Sequence, residues 1–182
     1  IAGDDTTMFT SHLDTADRAQ LPTKLLSKIE DGDEYIYTDG TSILGADDKA
    51  GVAVMLYMME NKIPGIYYFF IGEERGGIGS RDLASEFDSF DYLKNIKRCV
   101  SFDRRGTDSV ITHQMFGRCC SQTFALELAK RMNDTGNGMR MVPDSTGILT
   151  DSFLQSFAPM YLSLMIFKSS FGYCQPSTNF IK

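Results

Sequence analysis

An unbroken apolar run at residues 66–71, IYYFFI, constrains the fold of this chain more than any other segment. Aromatic and β-branched residues favour strands, and a run that is apolar on both faces is typical of a buried parallel strand. Parallel neighbours must be joined by crossover connections, most often helices. The run therefore predicts an α/β fold.

Strand-like and helical segments alternate along the rest of the chain. Further strands are predicted at residues 7–11, 35–38, 98–102, 109–112, 139–142 and 161–167. Two helices are predicted at residues 49–61 and 121–132, where apolar residues recur at helical spacing: Val52, Met55, Leu56 and Met59 in the first, and Ala125, Leu128, Ala129 and Met132 in the second. This order implies one domain over residues 1–182, with a mostly parallel central sheet and helices on both faces.

Composition excludes several classes of partner. The net charge of −6 and a pI near 4.9 argue against nucleic acid. No segment reaches the roughly 18 uninterrupted apolar residues that cross a bilayer, so no membrane partner is predicted. The four cysteines show no CxxC spacing, which favours a reducing, cytoplasmic compartment. No feature of the sequence predicts the oligomeric state.

Both ends of the chain differ from those expected of such a domain. The first residues, IAGDDTTMFTSH, run almost directly into a strand, so we expect an N-terminal leader or opening helix to be missing. The last residues, SSFGYCQPSTNFIK, are polar and irregular, so we expect an atypical tail.

Side chains that bind metals or move protons follow three of the predicted strands. His12 and Asp14 come after the first strand, Glu73 and Glu74 after the apolar run, and Asp103 after the strand at 98–102. Ligands of open α/β sheets bind outside the carboxyl ends of the strands. His12 could bind a metal there while Asp14 bonds its other ring nitrogen, although His12 taken alone is better explained as an ordinary loop histidine.

A further pair of carboxylates, Asp47 and Asp48, stands at the start of the first predicted helix. One of them needs no more explanation than an N-cap. A carboxylate at that turn could equally bridge two cations, with one oxygen for each. An imidazole with several carboxylates suits Zn²⁺, and Mn²⁺ or Co²⁺ are acceptable.

Together these segments resemble the co-catalytic zinc exopeptidase superfamily of aminopeptidases, tripeptidases, carboxypeptidases and related deacylases. The matching motifs are SHLDT, LGADDKAG, GEERGGIGS and FDRRG, within residues 11–106, with a weaker echo in PDSTGILTDSF. The resemblance implies a lid-less catalytic domain, because no insertion follows the strand at 98–102. It also implies two zinc ions and a peptide or small amide substrate.

The resemblance assigns each candidate residue a role. His12 and Asp103 would bind the first metal, with Asp14 orienting His12, and Asp47 would bridge the two metals. Glu74 would bind the second metal, and Glu73 would be the general base for a metal-bound water. The catalytic residues implied are therefore Glu73 and Asp14, and the metal ligands are His12, Asp47, Glu74 and Asp103.

One ligand of the family pattern is missing. The histidine that completes the second metal site is replaced by Ser170 or, in a second register, by Ser177. Three explanations remain open: His113, water or a partner chain completes the site; the protein uses one metal or is inactive; or the last residues are not the natural tail.

The leading hypothesis is metal-dependent hydrolysis of the N-terminal residue of a peptide, or of a related amide bond. The runner-up is a catalytically impaired relative that binds one metal or peptides without turnover. A flavodoxin-like nucleotide or signalling domain is disfavoured, because no glycine-rich phosphate loop follows the first strand.

Overall fold

The computed structural model describes residues 1–16, 22–114, 117–136, 138 and 140–148, and the backbone of the strand at 162–166. The strands are β1 (Thr7–His12), β2 (Leu25–Glu30), β3 (Asp33–Thr38), β4 (Ile66–Phe70), β5 (Arg98–Ser101), β6 (Ser109–Ile111), β7 (His113–Gln114), β8 (Gly117–Arg118), β9 (Val142–Asp144) and β10 (Leu162–Ile166). The α-helices are α1 (Ala46–Glu60), α2 (Ile78–Ser85) and α3 (Gln122–Asn133). Short 3₁₀ turns lie at Glu73–Arg75, Phe87–Ser89 and Asp91–Asn95.

A central sheet arranges six of these strands in the order β4-β1-β5-β10-β6-β9. β1 runs parallel to both β4 and β5, and β5 runs parallel to β10. β6 is antiparallel to β10 and parallel to β9. The predicted α/β class with a mostly parallel sheet is confirmed. Because β1, β4 and β5 run the same way, the residues that follow them share one edge of the sheet.

Helices cover both faces of this sheet, as predicted. One core cluster places Met55 of α1 and Ala125 of α3 against Val100. The opposite cluster contains Cys99, with Leu83 of α2 packed against it. Since Val100 and Cys99 are successive residues of β5, they point to opposite faces. The sheet is therefore the middle layer of three.

The predicted buried face of α1 was wrong in part. Met55 is fully buried, but Leu56 and Met59 are 48% and 37% exposed. The residues buried beside Met55 are Ala50 and Gly51, one turn earlier. Apolar residues occur all round this helix, so the sequence pattern did not single out the face that packs on the sheet.

The apolar run that became β4 is less buried than predicted. β4 lies at the edge of the sheet, and its first four residues are only partly buried. Its aromatic rings still cover neighbouring side chains, as in the pair Phe9 and Tyr67 with centroids 5.2 Å apart. Edge position explains the exposure, because β4 has a strand neighbour only on the β1 side in the described sheet.

Four of the described strands and α-helices were not predicted from the sequence. β2 pairs antiparallel with β3 in a separate two-stranded sheet, and helix α2 follows the glycine-rich turn after Glu74. The short strands β7 and β8 form a further antiparallel pair. The strand that follows α3, β9, begins at the last residue of the predicted strand at 139–142. Among the described residues, no helix is both long and apolar enough to cross a membrane.

Candidate metal centre

His12 is the last residue of β1 and is 1% exposed at the carboxyl edge of the sheet. Its Nδ1 donates a hydrogen bond to the backbone carbonyl of Asp14 at 2.9 Å, and the Asp14 carboxylate lies farther away at 3.6 Å. A carbonyl only accepts, so Nδ1 carries a proton and Nε2 faces away from the carbonyl. Asp14 does orient the ring, but its nearest group is the backbone carbonyl, where the sequence predicted the carboxylate.

Nε2 of His12 faces two carboxylates. The Asp47 oxygen is 3.1 Å away and the Asp103 oxygen is 3.7 Å away. Burial alone would lower the pKa of His12, but hydrogen bonds to Asp103 and Asp47 and the charge of Asp48 raise it to about 11. The carboxylates around Nε2 therefore favour a positive charge at this position.

The spacing of these three ligand atoms fits a zinc ion. Zinc–nitrogen and zinc–oxygen bonds of about 2.0–2.2 Å with tetrahedral angles place two ligand atoms roughly 3.4 Å apart. The two distances from His12 Nε2 lie on either side of that value, and the ligand atoms of His12, Asp47 and Asp103 all lie within 4.8 Å of one another. Three protein ligands leave one position open, as catalytic zinc sites do.

Glu73 and Glu74 form a second group of this kind with His12, again with ligand atoms within 4.8 Å of one another. Both glutamates lie on the 3₁₀ turn that follows β4. Burial, and then the negative charges of Asp47, Asp103 and Asp14, raise the pKa of Glu74, although His12 opposes this. Two overlapping groups with His12 in common bring every predicted metal ligand into one cluster.

The Asp14 carboxylate holds the turn that carries these glutamates. Its Oδ1 accepts the backbone N–H groups of Gly72 and Glu73 at 2.8 and 3.1 Å, and its Oδ2 accepts that of Glu74 at 3.3 Å. The first amides of a helical turn have no partner within the turn, so a carboxylate satisfies them well. Asp14 thus links the end of β1 to the Glu73–Arg75 turn.

The two adjacent aspartates have different surroundings. The Asp47 side chain is 53% exposed and faces His12, whereas Asp48 is fully buried. Asp48 Oδ1 accepts the N–H of Gly51 at 3.1 Å, which is the bond that an N-cap makes, and both aspartates have non-helical backbone angles. The N-cap interpretation therefore applies to Asp48, whereas Asp47 lies at the cluster.

His113 lies away from this cluster. It follows β6, which runs antiparallel to β10 and so carries the chain away from the carboxyl edge of β5. Its Nδ1 is 2.9 Å from the hydroxyl of Thr112, and neither metal-binding group found among the described residues includes it. Ser170 and Ser177 lie outside the described residues.

Sequence reasoning passed over Ser11, which lies behind the cluster. Ser11 is buried, and its hydroxyl donates a hydrogen bond to the buried Asp48 carboxylate. Ser11 stands inside the SHLDT motif, so its motif membership was the available signal.

The fold is shared with several solved enzymes. The aminopeptidase PepT from Bacillus cereus superposes with a TM-score of 0.67 at 16% identity, over 100% of this chain and 77% of that one. The TET1 peptidase of Pyrococcus horikoshii gives 0.57 at 16% identity, over 87% of this chain and 48% of that one. A glutaminyl cyclase from an Acidobacteriales bacterium gives 0.59 at 16% identity, over 96% and 59%. At this identity the likeness establishes the α/β fold and leaves the reaction to the site.

Curated sequences match in shorter stretches. The uncharacterized protein YqjE of Bacillus subtilis is 45% identical over 87 residues, which is 43% of this chain and 22% of that protein. A peptidase T-like protein of Yersinia pestis is 57% identical over 30 residues, which is 16% of this chain and 7% of that protein. The chain therefore matches less than a quarter of the length of either relative. No protein-family model matches the sequence.

Proposed function

We propose that the chain is a metal-dependent hydrolase that removes the N-terminal residue of a peptide or cleaves a related amide bond. The observation that carries the proposal is the placement of His12 Nε2 against Asp47 and Asp103 at zinc-ligand spacing, with Glu73 and Glu74 in the overlapping group. The fold likeness to PepT and TET1 and the short match to a peptidase T-like protein support the same reaction class.

The proposed metal ligands divide between two positions. His12 and Asp103 would hold the first metal, Glu74 would hold the second, and Asp47 would be a ligand of both. When bound, zinc lowers the pKa of a water molecule and polarises the substrate carbonyl. Imidazole nitrogen and carboxylate oxygens are suitable donors for this ion, and Mn²⁺ or Co²⁺ is accommodated by the same set.

Glu73 is the proposed general base. It stands next to Glu74 on a turn that the Asp14 carboxylate holds in place, so its carboxylate is directed to the same edge as the ligands. There it takes a proton from the attacking water and passes it to the leaving amine. Asp14 acts through the residues that it orients, which are His12 and the two glutamates.

Glu73→Gln and Asp47→Asn separate the role of base from the role of ligand. Glu73→Gln is expected to lower kcat by about 10²–10⁴-fold while zinc content is unchanged, because only the proton acceptor is lost. Asp47→Asn is expected to lose zinc, because the amide is a poor ligand. The measurements are amino-acid release from a tripeptide and zinc per chain by elemental mass spectrometry.

The exposed carboxylate of Glu86, at the end of α2, provides the control Glu86→Gln, which we expect to match the wild type in both measurements. Full activity of Glu73→Gln would refute the assignment of the base. A wild-type protein that binds one zinc and releases no amino acid would favour the alternative, a catalytically impaired relative.

A further inference from the structure

The backbones of three ligand-bearing segments meet at one buried point behind the metal cluster. These segments are the end of β1 with His12, the start of α1 with Asp47, and the residues after β5 with Asp103. The point where they meet is formed by Asp48 and Gly51, both of which are buried. Capping of α1 accounts for only one contact of Asp48, and it does not explain why position 51 is a glycine.

Asp48 fastens α1 to β1. Its Oδ2 accepts the hydroxyl of Ser11 at 2.6 Å and the backbone N–H of His12 at 3.3 Å. The Ser11 hydroxyl also lies 3.3 Å from the Asp48 carbonyl oxygen. Hydrogen bonds to a buried carboxylate are charge-assisted and about twice as strong as neutral ones. These bonds hold Asp48, at the start of α1, against the strand that carries His12.

Gly51 allows Phe102, the residue before Asp103, to pack closely against the start of α1. Its N–H donates to Asp48 Oδ1 at 3.1 Å. A Cβ at this position would lie 2.6 and 2.7 Å from the two Asp48 carboxylate oxygens and would overlap the carbonyl oxygen of Phe102. Only a residue without a side chain lets α1 approach both groups, so Gly51 sets how closely Asp47 and Asp103 approach each other.

We propose that Ser11, Asp48 and Gly51 are positioning residues that fix the separations among His12, Asp47 and Asp103 before a metal arrives. This inference rests on the proposed function, because it concerns the metal affinity of the same cluster. Outer groups that orient metal ligands typically contribute 10–100-fold in metal affinity. We expect contributions of that size from Ser11 and Gly51, although neither touches the metal.

Ser11→Ala and Gly51→Ala test the proposal without altering a ligand or a charge. The first removes the hydroxyl that binds Asp48, and the second places a methyl group between Asp48 and Phe102. Thr10→Val is the matched control, because Thr10 is fully buried on the same strand and its hydroxyl faces Cys99 at 3.9 Å on the opposite side. It removes a buried hydroxyl of β1 without touching Asp48.

The measurements are the zinc dissociation constant of each full chain, by competition with a chromophoric chelator, and the melting temperature of the metal-free protein. Ser11→Ala and Gly51→Ala are expected to raise the zinc dissociation constant about 10–100-fold, and Thr10→Val to leave it within about threefold. A purely structural role predicts that Ser11→Ala and Thr10→Val lower the melting temperature alike and bind zinc equally.

The failure of this inference is distinct from the failure of the proposed function. If the wild-type chain binds zinc and Ser11→Ala binds it equally tightly, the positioning role is wrong and the metal centre stands. If the wild-type chain binds no zinc, both proposals fall. Because Ser11→Ala is a small deletion, it decides the question even if Gly51→Ala does not fold.

Discussion

Asp14 contacts both the His12 ring and the turn that carries the two glutamates. Its carboxylate accepts three N–H groups of the turn that carries Glu73 and Glu74, and its carbonyl fixes the His12 ring. Because the carbonyl belongs to the backbone, a substitution at position 14 removes only the first of these contacts. The two functions of this residue can therefore be separated by mutation.

Asp14→Ala is expected to lower kcat about 10–100-fold, because the glutamates lose the acceptor that holds their turn. Zinc binding at His12, Asp47 and Asp103 is expected to change less than kcat. Kinetics on a tripeptide and zinc content per chain check both statements. Asp39→Ala is a suitable control, since Asp39 also accepts a backbone N–H and a hydroxyl in a loop. Unchanged kcat in Asp14→Ala would contradict the positioning of Glu73 by Asp14.

Among the elements, helix α1 has the most direct link between packing and the site. Met55 is the large apolar side chain of this helix that is fully buried. It packs in the core cluster that includes Val100 and Val110. The same helix carries Asp47 and Gly51 at its start. Loss of packing at Met55 would therefore loosen the element that presents a metal ligand.

Met55→Ala is expected to lower the free energy of unfolding by about 2–5 kcal/mol, because it deletes a fully buried side chain and leaves a cavity. The adjacent Leu56 is 48% exposed, so Leu56→Ala is the control and should cost much less. Urea unfolding followed by circular dichroism measures both. Equal losses for the two variants would show that α1 packs through a different face.

The start of β1 is held by a carboxylate whose ionisation stabilises the fold. Asp4 accepts hydrogen bonds from the hydroxyl of Thr7 at 2.6 Å and from the hydroxyl and N–H of Thr6, each at 2.7 Å. These bonds hold the pKa of Asp4 well below its ordinary value of 3.8, with burial opposing them and the charge of Arg98 assisting. The stabilisation is therefore complete above the unfolded-state pKa and is lost as the pH falls through the lower folded-state pKa.

Asp4→Asn is consequently expected to be less stable than the wild type at pH 7, by a margin that narrows steadily as the pH falls below about 4. Urea unfolding of both proteins at pH 7, 4 and 2.5 measures the margin. Asp5→Asn is the control, because Asp5 accepts one bond from exposed Asn95. A margin that does not change with pH would show that the Asp4 charge is unimportant.

At the scale of the whole molecule, the carboxyl edge of the sheet concentrates negative charge around one imidazole. Asp47, Asp103, Glu73 and Glu74 all fall in groups with His12. A bound cation would offset their repulsion, and a ligand that binds only the folded state stabilises it by mass action. A metal ion bound at this cluster would therefore raise the stability of the folded protein.

Added zinc is expected to raise the melting temperature, by an amount equivalent to about 2.7 kcal/mol at a free concentration one hundred times the dissociation constant. A chelator should reverse the shift, and Asp47→Asn should abolish it. Elemental mass spectrometry then gives the stoichiometry. Two zinc ions per chain would mean that another group replaces the missing histidine, one would support the His12, Asp47 and Asp103 site alone, and none would refute the metal centre.

Much of the fold and of the cluster could be predicted from the sequence, because both depend on local patterns. The alternation of apolar strands with helices predicted the parallel sheet, and strand-terminal acids predicted which residues meet at its edge. The sequence could not predict that Leu56 is exposed and Met55 buried, since both fit the same helical spacing. It also missed β2, a strand whose residues are mostly exposed and therefore lack a core pattern.

The sequence by itself determined the α/β architecture and the set of residues at the candidate centre. The succession of strands and helices along the chain, and the positions of the motifs between them, can both be read from the sequence. Only the tertiary structure decided how neighbouring, chemically identical residues divide their roles. Asp47 faces His12 while Asp48 is buried against Ser11, and the Asp14 carbonyl, closer than its carboxylate, accepts the imidazole proton. The physical reason is that such roles depend on burial and on distances of a few tenths of an ångström, which are fixed only when segments far apart in the chain pack together.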